Sequence, residues 1–193
     1  MEKLLYDFFC RDTIVVAEAL LGKILIYHSS DGDIGGRIIE TEAYLGENDE
    51  ACHTCRGKTP KNAAMFGTAG RNYLYRSYGI HLCYNITTDI PGMPSAVLLR
   101  SLEPLFGLEI MAKRRPKAEI SRYCAGPGNL TKALGLDISL NDSSLLESDS
   151  LLAIYDDGYQ AVEIVSKPRI GISKAQDLPL RFYLPGFSSL SRK

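Results

Sequence analysis

Residues 23–44 place the tightest constraint on how this chain can fold. K-I-L-I-Y-H-S (23–29) is an apolar, β-branched run, Asp31-Gly32-Asp33 is a turn signal, and Gly35 to Tyr44 returns as a second such run. The pattern predicts a hairpin that delivers Glu42 at a strand end. Two more strands are expected at Tyr73–Arg76 and His81–Thr88, joined by Ser77, Tyr78, Gly79 and Ile80, and another at 95–102. Later runs at 151–155, 161–165, 168–172 and 181–184 also read as strands. Helical spacing marks 13–22, stopped by Gly22, and 104–115, entered through Pro104 and ending on Lys113, Arg114 and Arg115. A short helix through Leu134 follows Gly126-Pro127-Gly128, with Asn129 as its N-cap. Residues 56–72 are rich in Gly, Lys, Asn, Thr and Pro and read as a loop with at most one helical turn. Strands outnumber helices and are mostly hairpin-connected. The expectation is an α+β fold with a curved, mostly antiparallel sheet, surrounding helices and a protruding hairpin. With 193 residues and 45% hydrophobic content, 1–193 suits a single domain.

The net charge of −1 argues weakly against a nucleic-acid partner. The charge is unevenly spread, however. Residues 137–163 hold seven acidic side chains and no Lys or Arg, so the remainder of the chain carries +6. A basic face with a separate acidic lobe fits this, as does an ordinary mixed surface. Five cysteines are an odd number, no secretion signal precedes the first residues, and no apolar run nears the ~18 residues that span a bilayer. The expected setting is the cytoplasm, at the nucleoid in a prokaryote, with reduced thiols.

On a strand, Glu40, Glu42 and Tyr44 share one face, and Ile39, Thr41 and Ala43 the other. Such a face can simply be solvated. It can also poise Glu42 as a general base beside an aromatic wall, ready to activate water against an electron-poor glycosidic carbon. Tyr73, Tyr75, Tyr78, His81 and Tyr84 crowd twelve residues. Cross-strand packing accounts for most of them. Tyr78 differs, because it falls in the turn beside Gly79. A ring at a hairpin tip, near Arg76, suits a wedge into stacked bases. Lys58, Lys61 and Arg71 are candidate phosphate contacts, or plain solvated loop. Cys52-His53-Thr54-Cys55 invites a zinc reading, but no second Cys pair follows at finger spacing. His53 as a stacking or hydrogen-bonding residue is the alternative.

These residues resemble the alkyladenine (3-methylpurine) DNA glycosylases, the class without a helix-hairpin-helix. The runs that carry the resemblance are A-E-A-L-L-G-K-I-L (17–25), R-I-I-E-T-E-A-Y-L-G (37–46), R-G-K-T-P-K-N-A-A-M-F-G (56–67), Y-L-Y-R-S-Y-G-I-H-L-C-Y-N (73–85), V-L-L-R-S-L-E-P-L-F-G-L-E-I-M (97–111), C-A-G-P-G-N-L-T-K-A-L-G (124–135) and P-R-I-G-I (168–172). The resemblance implies a monofunctional glycosylase that flips damaged purines such as 3-methyladenine from double-stranded DNA and hydrolyses the N-glycosidic bond. It implies a monomer with no cofactor and no metal. Glu42 would activate the water, with Arg100 near it. Tyr44, His53 and Tyr75 would wall the base pocket, and the His53 amide would read the purine six-position. Asn85 would crowd the guanine two-amino group, and Tyr78 would fill the gap in the duplex. The chain departs from the family pattern at Cys52 and Cys55 beside His53, and at Arg76-Ser77 before Tyr78. A non-catalytic nucleic-acid binding module of the same fold, or a zinc-dependent hydrolase built on Cys52, His53 and Cys55, are the competing readings. Glu42 separates the first of these, since a binder has no use for it.

Overall fold

The computed structural model describes residues 1–192. Its strands are β1 (Glu2–Lys3), β2 (Ile24–Ser29), β3 (Gly32–Tyr44), β4 (Asn72–Ser77), β5 (His81–Thr88), β6 (Ser95–Phe106), β7 (Leu152–Asp156), β8 (Val165–Lys167) and β9 (Arg181–Tyr183). Its helices are α1 (Tyr6–Phe9), α2 (Thr13–Ala19), α3 (Leu108–Arg114) and α4 (Pro127–Leu134). The strands form one sheet in the order β1-β7-β2-β3-β6-β5-β4, and β9 joins β3 and β8 at its side. Every pairing is antiparallel. The expected α+β class and sheet are therefore found.

β3 organises the sheet. Its first half pairs with β2, residues 40–42 pair with β9, and β6 follows it along the other edge. Gly35 and Gly36 permit the close approach: a Cβ on Gly35 would overlap the Leu25 carbonyl oxygen, and one on Gly36 the Glu103 carbonyl oxygen. Register shifts beside Gly35, Ile38 and Glu40 bend the strand. The core is filled by Phe9, Leu20, Leu25, Ile38, Ile39, Tyr84, Ile86, Leu99 and Leu102, with Leu130 and Leu134 of α4 beneath the sheet. Asp12 caps α2 by accepting from the amides of Ile14 and Val15 at 2.9 and 3.1 Å.

Several sequence expectations are corrected. Pro104 does not open a helix, because β6 runs on to Phe106 and Gly107, with φ +67°, precedes α3. At Pro104 the strand has already passed beyond its pairing with β5, where a missing N–H is tolerated. Asn129 is not an N-cap. Gly126 precedes the helix, Pro127 takes its first position, and Asn129 Nδ2 donates back to the Ala125 carbonyl at 2.7 Å. Of 161–165 only Val165 is in a strand, and 168–172 is irregular, since its polar groups turn toward β3 instead of a ladder. The acidic segment is not a separate lobe. Asp142 pairs with Arg71, Asp156 with Lys23 and Asp157 with Arg37. No helix among the described residues is long and apolar enough to cross a membrane.

Candidate active site

The end of β3 carries the site. The strand alternation puts Glu40, Glu42 and Tyr44 on one face, and that face is not solvated. Glu40 and Glu42 are both 0% exposed. Glu42 Oε1 accepts from the Ile170 amide at 2.7 Å and lies 3.2 Å from Arg100 Nη1 on β6. Glu42 Oε2 accepts from the Tyr44 hydroxyl at 2.9 Å. Burial pushes the Glu42 carboxyl above its usual range, opposed by Arg100, the Ile170 amide and the Tyr44 hydroxyl. A carboxylate oxygen offers about two acceptor sites. Among the described residues Oε1 has the Ile170 amide as hydrogen-bond donor with the Arg100 cation beside it, and Oε2 has the Tyr44 hydroxyl, which leaves Oε2 acceptor capacity.

Above this carboxylate lies an open cavity lined by Tyr44, His53, Tyr75, Asn85, Arg100 and Ile170. Glu42 itself lies beneath its surface, reached through Tyr44, Arg100 and Ile170. His53 stands edge-on to Tyr75, with ring centroids 4.4 Å apart, and its Nδ1 is 2.8 Å from the Tyr73 hydroxyl. His53 keeps part of its surface exposed, and desolvation of the part packed against Tyr73 and Tyr75 lowers its proton affinity. Asn85, across from Tyr73 on β5, donates through Nδ2 to the Tyr73 carbonyl at 3.0 Å. Asn62 is buried and braces the loop of His53, donating to the carbonyls of His53 and Gly57 at 2.9 and 3.0 Å.

The predicted site residues divide by position. Glu42, Arg100, Tyr44, His53, Tyr75 and Asn85 gather at this one cavity. Tyr78 sits on the β4–β5 turn with φ +51° and 87% of its surface exposed. Arg76 and Lys61 are exposed at the cavity rim, while Lys58 is exposed nearby with its ammonium 5.6 Å over the Phe66 ring. Arg71 is held by Asp142 at 2.6 Å. The zinc reading finds no support in the side chains. Cys52 Sγ is buried beside Thr54 Oγ1, Cys55 Sγ faces the Glu50 carbonyl, and His53 Nδ1 faces Tyr73. No three His, Cys, Asp or Glu side chains gather as metal ligands among the described residues. Cys52 instead packs with Ala64, Met65, Tyr73 and Ala96 under Tyr44 and Tyr75.

Sequence reasoning missed the residues that brace the site. Arg169 is buried, donates to the Ala43 carbonyl at 2.9 Å, and makes a two-pronged pair with Asp49 at 2.5 and 2.8 Å. Its guanidinium lies 4.7 Å from the Tyr44 ring centroid. One side chain thus fixes the end of β3, the loop toward His53 and the segment that offers the Ile170 amide. Arg181 of β9 reaches Glu40 at 3.0 Å. The only sequence signal was the P-R-I-G-I run, in which a lone arginine shows no partner.

A buried carboxylate thus lies beneath an aromatic-walled cavity, beside a hairpin that projects a tyrosine. Comparison with known proteins gives the family. Residues 7–188 match the family described as methylpurine-DNA glycosylase. A protein of Methanoculleus marisnigri assigned as a 3-methyladenine DNA glycosylase is 45% identical over 190 residues, covering 96% of this chain and 97% of its own. Another from Chlorobaculum tepidum, assigned likewise, is 44% identical over 193 residues, covering 100% and 92%. A third, from Koribacter versatilis, is 41% identical over 189 residues, covering 96% and 91%. The chain belongs to the methylpurine-DNA glycosylase family.

Proposed function

We propose that this protein draws damaged purines such as 3-methyladenine out of duplex DNA and cleaves the N-glycosidic bond with water activated by Glu42. The activity class, a DNA glycosylase acting on alkylated purines, follows from family membership. The observation that supports the mechanism is the buried Glu42 carboxylate, which the cavity-lining Tyr44, Arg100 and Ile170 all meet and whose Oε2 has acceptor capacity left. A water bound there gives its proton to Oε2 as its oxygen bonds to the sugar C1′. The C1′–N bond breaks, and the bonding electron pair leaves with the base. For a cationic alkylated purine this pair neutralises the ring, so the leaving group needs no acid. The anionic carboxylate also steadies the oxocarbenium-like carbon. A cationic base on electron-rich rings gains roughly 0.5–2 kcal/mol.

The other residues take roles that fit their places. Arg100 and the Ile170 amide hold Glu42 in one orientation. Asn85, tethered through Nδ2, crowds the position where guanine alone carries an amino group. Tyr78 fills the space left by the extruded nucleotide, and Lys58, Lys61 and Arg76 meet phosphates.

The test is base release from methylated duplex DNA by the purified protein, with chromatographic identification of the freed bases. Glu42→Gln keeps shape and removes the base. Excision should fall at least about a hundredfold while lesion binding survives. On a cationic substrate, wild-type rate should decline as pH falls through the Glu42 value, which burial sets above the ordinary carboxylate value of about 4.3. No base release by wild type refutes the function. Near-normal turnover by the variant refutes the mechanism.

A further inference from the structure

Glu40 is a second fully buried carboxylate, two residues from Glu42 on the same strand face. It accepts from Arg100 Nε at 3.3 Å, Arg181 Nη1 at 3.0 Å, Ser101 Oγ at 2.8 Å, Ser191 N at 2.8 Å and Ser191 Oγ at 2.7 Å. Five donors exceed the roughly four acceptor positions of a carboxylate. Glu40 therefore has no capacity left for water or a substrate, and it does not line the cavity. What it does hold is Arg100. That guanidinium gives its Nε edge to Glu40, Nη1 to the Ile170 carbonyl at 3.5 Å while standing 3.2 Å from Glu42 Oε1, and Nη2 to Ser191 Oγ at 3.3 Å.

The division of Arg100 between two carboxylates matters for the chemistry. A guanidinium facing one carboxylate closes on it through two parallel hydrogen bonds. If Arg100 were free to do so, it would cover Oε2 of Glu42, the oxygen with the open site. We propose that Glu40 is a positioning residue that holds Arg100 in a one-pronged contact with Glu42 and so keeps Oε2 open for the attacking water. Arg181 and the Ser191 segment in turn hold Glu40. This rests on the reading of Glu42 as the water-activating carboxylate.

Charge gives the test its sign. Glu42 is faced by Glu40 and Tyr44 on β3, Arg100 on β6, Tyr75 on β4, Cys83 on β5, and Arg169 with the Ile170 amide from the 168–172 segment. Arg181 stands opposite Glu42 in the β3–β9 register and reaches to Glu40. The anion at Glu40 opposes ionisation of Glu42, and the cation at Arg181 favours it. Glu40→Gln removes the anion and leaves only a neutral amide oxygen to hold Arg100, which then turns further toward Glu42. Both effects hold Glu42 ionised to lower pH.

The experiment measures kcat, KM and the pH profile of the full chain on duplex DNA carrying a cationic methylated purine, corrected for folded fraction. Glu40→Gln should lower kcat about tenfold with KM within about twofold, a loss confined to the transition state. Its acid limb should move down by about one pH unit. Arg181→Gln should move that limb the other way. A packing defect would lower the active fraction without moving either limb. Unchanged kcat, or an unshifted acid limb, in Glu40→Gln overturns the proposal. If that variant does not fold, an unshifted or lowered limb in Arg181→Gln overturns it instead. Glu42→Gln is run alongside. If it stays active, the water-activating reading itself has failed; if it is inactive while Glu40→Gln matches wild type, only the positioning role has failed.

Discussion

Replacing Tyr78 with alanine separates recognition from stability in a way the structure lets one calculate. Tyr78 is 87% exposed, so roughly an eighth of its surface is removed from water by the fold. Full burial of a large side chain is worth about 2–3 kcal/mol, which scales to about 0.3 kcal/mol here. The backbone sits at φ +51°, in the left-handed region, and alanine meets the same strain there as tyrosine. Gly79 follows with φ +72° and open space around it, so the turn itself need not change. The melting temperature should move by no more than about 2 °C. On DNA the same ring is expected to stack in the vacated position. Base–aromatic stacking is worth about 1–3 kcal/mol, which corresponds to a loss of roughly five- to 150-fold in excision of a flipped lesion. Tyr78→Phe keeps the stacking surface and should retain most activity. Single-turnover excision and a thermal melt on the three proteins suffice. If Tyr78→Ala melts well below wild type while activity per folded molecule is unchanged, the ring is structural and the wedge reasoning is wrong.

Asn85→Ala or Asn85→Ser should admit the guanine two-amino group and raise release of guanine or 7-methylguanine relative to 3-methyladenine. An unchanged product ratio with both rates reduced would assign Asn85 only its bond to the Tyr73 carbonyl. Arg169→Gln leaves Asp49 buried without its cation, which should cost about 3–5 kcal/mol and be seen in urea unfolding. It should also lower activity per folded molecule, because Tyr44 and the Ile170 amide lose their brace. Burial raises the proton affinity of Asp49, but Arg169 and the amides of Leu45 and Ala51 outweigh it and hold the carboxyl below its usual range. The stabilisation is thus complete above the unfolded value of about 3.9 and is lost as pH falls through the folded value. Unfolding titrations from pH 7 to pH 3 should show a loss that Asp49→Asn, already lacking the charge, does not share.

What could be read from the sequence follows the range of the interactions. The hairpin of 23–44 and the aromatic pair of strands at 73–88 rest on local alternation and turn chemistry, and their ends are found within three residues, the largest shift being that β3 begins at Gly32 inside the expected turn. The same alternation put Glu40, Glu42 and Tyr44 on one face. The turn at Tyr78 was legible because a large ring beside Gly79 has nowhere to pack. Pro104 misled because proline suits a helix start and also a strand that has lost one neighbour. Only the tertiary pairing of β6 decides between them. The segment 168–172 looked like a strand because Ile170 and Ile172 alternate. Its Arg169 and the Ile170 amide instead serve groups more than a hundred residues earlier in the chain.

The depth of the site was the least legible property, and charge explains why. A face bearing two glutamates reads as solvated unless cations arrive to match them, since an isolated buried carboxylate is prohibitively costly. Those cations come from three separate elements: Arg100 on β6, Arg181 on β9 and Arg169 on the irregular segment. Arg100 and Arg181 balance Glu40 and Glu42, and Arg169 balances Asp49. The pairings of Arg100 and Arg181 break if the strand register slips by one residue, because the side chain then turns to the opposite face. The neutrality of the cluster is therefore a property of the assembled sheet. It allows Glu42 to lie in a water-poor setting, where, on the proposed mechanism, its negative charge would act most strongly on a developing cation.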